Sequence, residues 1–246
     1  MDTDAAWAML NETLIACRAC PRLVAWREQV AREKRRAYRD WTYWGKPVPG
    51  FGDRRGRLWV VGLAPGAHGS NRTGRMFTGD RSGDTLYAAM YRAGFASQPE
   101  ARHREDGLTL TDAFITAIGR CAPPGNRPTR QELQNCRPFL AREWELMPQV
   151  RVVLALGQMA FDGCVRLLRD YGFNLPRLKF RHGLHHPFDG GAGGTKRHLL
   201  ASYHPSRQNT QTGRLTPAML DEVFALARRL LEAEQGSGGA AKRAAG

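Results

Sequence analysis

The sequence predicts an α/β protein: one α/β/α sandwich domain around a central four-stranded parallel sheet. Three observations carry this. Short apolar runs such as Leu58–Leu63 and Arg151–Leu156 read as strands covered by helices on both faces. Stretches of helical spacing separate the strands, the alternation that builds a parallel sheet. Each strand then runs into a polar or glycine-rich turn, where open α/β sheets bind their ligands. With 246 residues, 42% of them apolar, the chain can fill one sizeable core.

Taken in order, Ala5–Ala16 is a helix, with Ala6, Met9, Leu10 and Leu14 near helical spacing. Cys17-Arg-Ala-Cys20-Pro21 follows, then a helix over Leu23–Tyr38 loaded with Arg and Lys. Trp41, Tyr43 and Trp44 crowd an irregular segment that closes at Pro47–Gly52. These N-terminal helices are expected to pack on the sheet rather than form a domain of their own. The first strand, Leu58–Leu63, opens into a loop that turns through Gly62, Pro65, Gly66 and Gly69 and ends in Phe77-Thr78-Gly79-Asp80. No Gly-Lys-Ser/Thr follows and the spaced-glycine fingerprint is missing, which excludes the common nucleotide-binding loops.

Gly83–Gly94 is a helix and Gln98–Gly107 a polar loop. The second strand, Thr111–Ile118, ends at the turn Arg120–Pro128. Thr129 as N-cap with Glu132 three residues on starts a helix that runs to Met147. The third strand, Arg151–Leu156, turns at Gly157-Gln158 into a helix through Tyr171. Asn174–Gly194 is loop-rich. The fourth strand, His198–Tyr203, ends in His204-Pro205-Ser206-Arg207. Thr216 as N-cap and Pro217 behind it open the last helix, to about Glu234. The stretch Gln235–Gly246, rich in Gly, Ala and Ser, is expected to be a disordered basic tail, leaving residues 1–234 as the folded unit.

Charge narrows the partners. There are 37 Lys+Arg against 23 Asp+Glu, a net charge of +14, and the tail contributes only Lys242 and Arg243. Such an excess on a folded unit favours a polyanion, most simply nucleic acid. No apolar run of 18 residues suggests a membrane span. The N-terminus lacks the basic and apolar regions of a secretory signal, so the cytoplasm is the expected compartment and a monomer the expected state. There the five cysteines are not expected to form structural disulfides.

In a parallel sheet the four strand ends share one edge, so segments far apart in sequence converge on one cleft. They bring Asn71, Arg75, Phe77, Asp80, Asn126, His204 and Arg207. Neither Ser70 nor Ser206 sits in a nucleophile-elbow pattern. No carboxylate pair suits an oligosaccharide glycosidase, and no His/Asp/Glu spacing suits a metal in the cleft. One carboxylate, one imidazole, one amide and one aromatic ring remain. Asn126 can read a base edge, Phe77 can stack on a heterocycle, and Asp80 can orient a water or stabilise positive charge. These parts suit an enzyme that extrudes a nucleobase and cuts its bond to the sugar. The departing base becomes an anion, which His204 and backbone N–H groups can stabilise. Each residue also has a plainer reading. Phe77 alone suits a core, Asn126 suits a turn, and Ser82 and Asp84 look better placed than Asp80 to cap the next helix.

Cys17-x-x-Cys20 by itself is a redox pair or half a zinc site. With Cys121 and Cys136 there are four thiols able to hold zinc or an iron–sulfur cluster, and the spacing does not decide between them. Cys164, inside an apolar helix, reads as a small buried hydrophobe.

Long motifs then resemble one family. GLAPGAHGSNRTGRMFTGD at Gly62–Asp80, RCAPPGNRPT at Arg120–Thr129 and ASYHPSRQNTQTGRLT at Ala201–Thr216 are similar to the B-type (family 5) iron–sulfur uracil-DNA glycosylases. CRACPRLVAWRE at Cys17–Glu28 and PVPGFGD at Pro47–Asp53 extend the likeness. The resemblance implies the uracil-DNA glycosylase superfamily fold and a [4Fe–4S] cluster on Cys17, Cys20, Cys121 and Cys136. It implies monofunctional hydrolysis of the N-glycosidic bond in DNA, with tolerance for other deaminated bases such as hypoxanthine. Asp80 matches the family's catalytic aspartate, Phe77 its stacking ring, Asn126 its base-reading amide and His204 its second-motif histidine. Gly62, Ala64 and Gly66 form the first motif, which offers no acid or amide side chain. Arg207, Gln208 and Leu215 are the choices for a residue that wedges into the base stack. Gly190–Gly194 and the tail fall outside the motifs. The alternatives are a non-catalytic iron–sulfur nucleic-acid-binding protein, which binds DNA without making abasic product, and an adaptor with no salt-dependent DNA binding.

Overall fold

The computed structural model describes residues 2–189 and 195–243, with side chains as far as Ala233. Its centre is a six-stranded sheet built from β1 (Phe51–Gly52), β2 (Leu58–Gly62), β3 (Ala113–Ala117), β4 (Val152–Leu156), β5 (Leu184–Phe188) and β6 (Arg197–Ser202). Strand order is β1-β3-β2-β4-β6-β5. The expected four strands form the parallel middle, β3-β2-β4-β6. The antiparallel strand at each edge is an addition to that expectation: β1 pairs with β3 and β5 with β6. Both edges are hidden in the sequence for physical reasons. β1 is two residues long, and β5 carries two histidines and Pro187, a residue that sheets tolerate at an edge because its missing N–H faces no partner.

Every residue of β2, β3 and β4 is buried. Alternation along the strands divides them between two cores. Leu58, Val60, Ile115 and Leu154 face one core, which is covered by α4 (Arg81–Arg92) and α8 (Pro217–Arg243) through Leu86, Met90, Leu220 and Phe224. Trp59, Val61, Phe114 and Val153 face the other. There they meet Trp7 of α1 (Thr3–Ala16), Leu140 and Trp144 of α5 (Arg130–Leu146), and Phe161 of α6 (Gln158–Asp170). The chain is thus a single-domain α/β/α sandwich. Three further helices are α2 (Pro21–Glu33), α3 (Ser70–Thr73) and α7 (Arg207–Gln211).

Local sequence signals locate several boundaries. Thr129 and Glu132 form the expected capping box, with Glu132 N–H donating to Thr129 Oγ1 at 3.2 Å and Thr129 N–H to Glu132 Oε2 at 2.7 Å. Thr216 Oγ1 accepts from Met219 N–H at 3.2 Å at the start of α8. The second helix stops at Glu33 rather than Tyr38, because Lys34 takes a left-handed φ of 53°; one 3₁₀ turn, Arg36–Tyr38, follows. α8 is described to Arg243, whereas side chains from residue 234 on, the end of the expected tail at 244–246 and the glycine stretch 190–194 lie outside the described residues. Among the described residues no helix is long and apolar enough to cross a membrane.

Candidate active site

The carboxyl ends of β3, β2, β4 and β6 lie side by side, and backbone hydrogen bonds join their turns. Ile118 N–H donates to Gly62 O at 3.0 Å, Gly119 N–H to Leu63 O at 2.8 Å, and Gly157 N–H to Ser202 O at 2.8 Å. The first motif, with Ala64 partly exposed, therefore sits between the turn that carries Asn126 and the turn that leads to His204.

Phe77 occupies the middle of this edge. Its φ of 51° is left-handed, uncommon for an aromatic residue and a mark of a position held by its surroundings. A Cβ at Gly62 would stand 2.6 Å from the Phe77 ring, so only glycine lets the ring lie against the end of β2. The ring is 8% exposed and stands 5.7 Å, centroid to centroid, from the imidazole of His204, with the two planes inclined at 30°.

Asp80 caps α4: its Oδ1 accepts from Gly83 N–H at 3.0 Å. The expectation that Ser82 or Asp84 caps that helix is therefore corrected, since the helix begins one position after Asp80 rather than inside the Ser-Gly-Asp stretch. The other carboxylate oxygen lies on the glycine loop. A Cβ at Gly66 would stand 2.8 Å from Oδ2, and one at Gly69 would collide with it. Burial pushes the Asp80 carboxyl up from its ordinary value. The N–H groups of Gly83 and Ser82 and the charge of Arg72 work against that rise, and Asp84 adds to it. Asp80 and His204 both keep some contact with solvent.

His204 follows β6, and its carbonyl accepts from Asn209 Nδ2 at 2.8 Å. Burial pushes its imidazole down to about 4, so it is neutral at pH 7 and donates from one nitrogen only. Asn126 ends the 3₁₀ turn Pro124–Asn126 with a left-handed φ of 57°. Its side chain is exposed, and among the described residues no hydrogen bond or ring contact ties it to Phe77, Asp80 or His204.

Two residues expected in the cleft, and one of the three choices for a wedge, are elsewhere. Asn71 is fully buried and donates to Arg27 O at 3.3 Å. Arg75 is buried in an ion pair with Asp106 at 2.7 Å. Leu215 is 1% exposed, so it belongs to the core and not to a wedge; Arg207 and Gln208 are exposed on α7. Sequence alone cannot tell a loop arginine that faces a ligand from one that meets a carboxylate about thirty positions on.

Cys17, Cys20, Cys121 and Cys136 line one cavity with Pro47, Asn135 and Phe139. Two donors reach their sulfurs: Arg27 Nη1 to Cys121 Sγ at 2.9 Å and Asn135 Nδ2 to Cys20 Sγ at 3.4 Å. Burial pushes the Cys121 thiol up to about 12 and raises that of Cys136. Among the described residues no group of three or more His, Cys, Asp or Glu side chains has the arrangement of a metal-ion site. Sequence reasoning misses Arg27 although a signal is there: it shares the buried stripe of α2 with Leu23, Val24 and Val30. Cys164 is fully buried in α6, the small hydrophobe expected.

Known sequences resemble the chain closely. The family described as the uracil DNA glycosylase superfamily matches residues 49–228. A type-5 uracil-DNA glycosylase of Thermus thermophilus is 54% identical over 219 residues, 89% of this chain and 95% of that protein. One from Mycobacterium leprae is 53% identical over 222 residues, 90% and 94% of the two chains. One from Pyrobaculum aerophilum is 43% identical over 211 residues, 86% and 87%.

Proposed function

Because this chain belongs to the uracil DNA glycosylase superfamily, and within it to the type-5 uracil-DNA glycosylases, we propose that it excises uracil from DNA by hydrolysing the bond between base and sugar. The product is an abasic site. The observation that carries this reading is the niche of Asp80, a carboxylate held between a helix N-terminus and a glycine loop, on the same strand-end turn as Phe77, whose ring faces the neutral imidazole of His204.

The damaged nucleotide leaves the duplex and its base lies against Phe77. A base held between two rings needs ~7 Å between their planes, two carbon contacts of ~3.5 Å. Phe77 and His204 stand 5.7 Å apart, so the base does not lie between them and His204 meets its edge. As the bond to the sugar lengthens, the sugar gains positive charge and the base negative charge. Asp80 stands for the first and the N–H of neutral His204 for the second. A neutral donor is well suited here, because it stabilises an anion without first having to gain a proton in a buried place. Asn126, whose amide has no protein partner among the described residues, reads the edge of the base. A ring face, one imidazole and one free amide discriminate weakly among deaminated bases, so hypoxanthine is a substrate on the same reading. The exposed guanidinium groups of Arg127, Arg207 and Arg214 at the strand ends face the phosphates.

Cys17, Cys20, Cys121 and Cys136 hold a [4Fe–4S] cluster on this reading. The donor set is thiolate throughout, which iron–sulfur clusters favour. Arg27 supports it further: its guanidinium is 2% exposed and has no carboxylate partner among the described residues, so an anionic sulfur set is the counter-charge it calls for. Such a cluster supplies a covalent tie between the N-terminal helices and the Asn126 turn.

The test is an oligonucleotide with one uracil, read as alkali-labile breaks under single-turnover conditions. The protein makes such breaks, and Asp80→Ala lowers the rate by roughly 10²–10⁴-fold, the range for one acid–base group. Binding to this DNA without abasic product would mean a non-catalytic DNA-binding protein instead.

A further inference from the structure

Arg72 is 3% exposed, in the short helix α3 that follows the first motif. The three other deeply buried arginines among the described residues each meet an anionic or sulfur partner: Arg75 meets Asp106, Arg120 meets Glu143, and Arg27 meets Cys121. Arg72 has no such partner among the described residues. Its Nε donates to the carbonyl of His68 at 2.8 Å and its Nη2 to the carbonyl of Gly79 at 2.7 Å, while Nη1 is buried without a hydrogen bond. The rings of Tyr38 and Trp41 each lie 3.9 Å from the guanidinium carbon. Burying a cation in this way is expensive unless it does something that a neutral side chain cannot.

The two carbonyls show what that is. His68 precedes Gly69, one wall of the hollow that receives Oδ2 of Asp80. Gly79 precedes Asp80 itself. One planar fork therefore bridges the two backbone segments between which the carboxylate sits, and a planar fork with fixed donor directions holds a spacing that a flexible ammonium does not. We propose that Arg72 is a positioning residue for Asp80: its guanidinium pins the Gly69 and Gly79 walls together and puts a positive charge beside the carboxylate. This rests on the reading of Asp80 as the catalytic carboxylate.

The charge has a direction that can be worked out. The groups acting on Asp80 are Asp84 of its own helix, which disfavours its ionised form, and the N–H groups of Ser82 and Gly83 and Arg72, which favour it. His68, Tyr38 and Tyr43 stand around Arg72 rather than against Asp80. Removing the cation leaves burial and Asp84 less opposed, so the carboxyl of Asp80 protonates at a higher pH.

The experiment is the single-turnover rate on uracil-containing DNA against pH for the full chain, with Arg72→Met, Arg72→Lys and Asp80→Asn side by side. Arg72→Met is expected to lose about 10²-fold in rate, the cost of a small misplacement, with little change in DNA affinity. Its acid limb moves to higher pH. Arg72→Lys keeps the charge and loses the fork, so its rate falls while its acid limb stays near that of the parent. If Arg72→Met does not fold, Trp41→Leu strips one face of the stack and shifts the acid limb in the same direction by less. An acid limb unmoved in folded Arg72→Met, or in Trp41→Leu where Arg72→Met does not fold, or a loss confined to DNA affinity, overturns the proposal. An active Asp80→Asn would instead overturn the role of Asp80, so the two failures are distinguishable.

Discussion

Asp80 uses its two oxygens for two purposes. One closes the first turn of α4 through Gly83 N–H, and the other fills the hollow over Gly66 and Gly69. With Asp80 as the proposed catalytic carboxylate, stability and activity therefore oppose each other at this residue. The folded state raises the carboxyl's pKa above its ordinary value, so at neutral pH the ionised form costs stability. That cost falls away as pH drops through the folded pKa. Asparagine caps a helix about as well as aspartate. Asp80→Asn should thus melt above the parent at pH 7 while losing activity, with the difference closing in acid. Asp80→Ala also loses the cap, worth about 1 kcal/mol. Thermal melts of the three proteins at pH 7 and in acid decide it; an Asn variant that melts lower at pH 7 would refute the burial argument. The placing of Phe77, Asp80, Asn126 and His204 beyond strand ends is legible in the sequence because each stands in a motif there. Arg72 and Arg27 are not. Whether a buried guanidinium meets a carbonyl, a sulfur or a carboxylate depends on residues elsewhere in the chain: Arg27 and Cys121 are 94 positions apart.

Among the elements, the polar segment 98–107 reads as a plain loop in the sequence, yet it buttresses the site. Gly79 N–H donates to Ala101 O at 2.8 Å. Asp106 gathers Arg75, the N–H of Arg102 and the N–H of Leu108 into one half-buried knot. Burial alone would raise the Asp106 carboxyl; Arg75 and the two N–H groups outweigh it and hold the group down to about 2. A carboxyl depressed on folding contributes stability above its unfolded value near 3.8, and that contribution is lost as pH falls toward 2. Asp106→Asn should therefore melt below the parent at pH 7, and the gap should narrow through that window. A gap independent of pH would show that Asp106 acts by shape alone. The strands tell a similar story. β2, β3, β4 and β6 are readable because fully buried strands are short apolar runs. β5 is not, since an edge strand needs no such run.

At the scale of the whole molecule, the N-terminal segment is fastened to the sandwich at several places. Trp7 packs against Phe114 at 5.2 Å, Trp44 N–H donates to Arg72 O at 2.9 Å, and Gly45 N–H donates to Asn71 O at 3.0 Å. Arg22 pairs with Glu132 at 2.7 Å, joining α2 to the capping box of α5. The four cysteines sit across that same seam, two on each side. Purified without air, the protein should carry iron and acid-labile sulfide. Cys121→Ala should lose both and become sensitive to trypsin at Arg18, whose side chain is 63% exposed. Zinc in place of iron, with no sulfide, would refute the cluster.

What the sequence determined by itself is the alternation of strands and helices, the capping box at Thr129, and the motifs that mark the cleft. Each is a property of a few neighbouring residues, set by side-chain periodicity and by local hydrogen bonding. The tertiary structure alone decided which oxygen of Asp80 is free, that Arg75 belongs to Asp106, that Leu215 is core, and that Arg72 joins the carbonyls of His68 and Gly79. These depend on pairs of groups that meet only after the chain has closed. The energy of a buried charge is set by what lies within a few ångströms of it, and not by its neighbours along the chain.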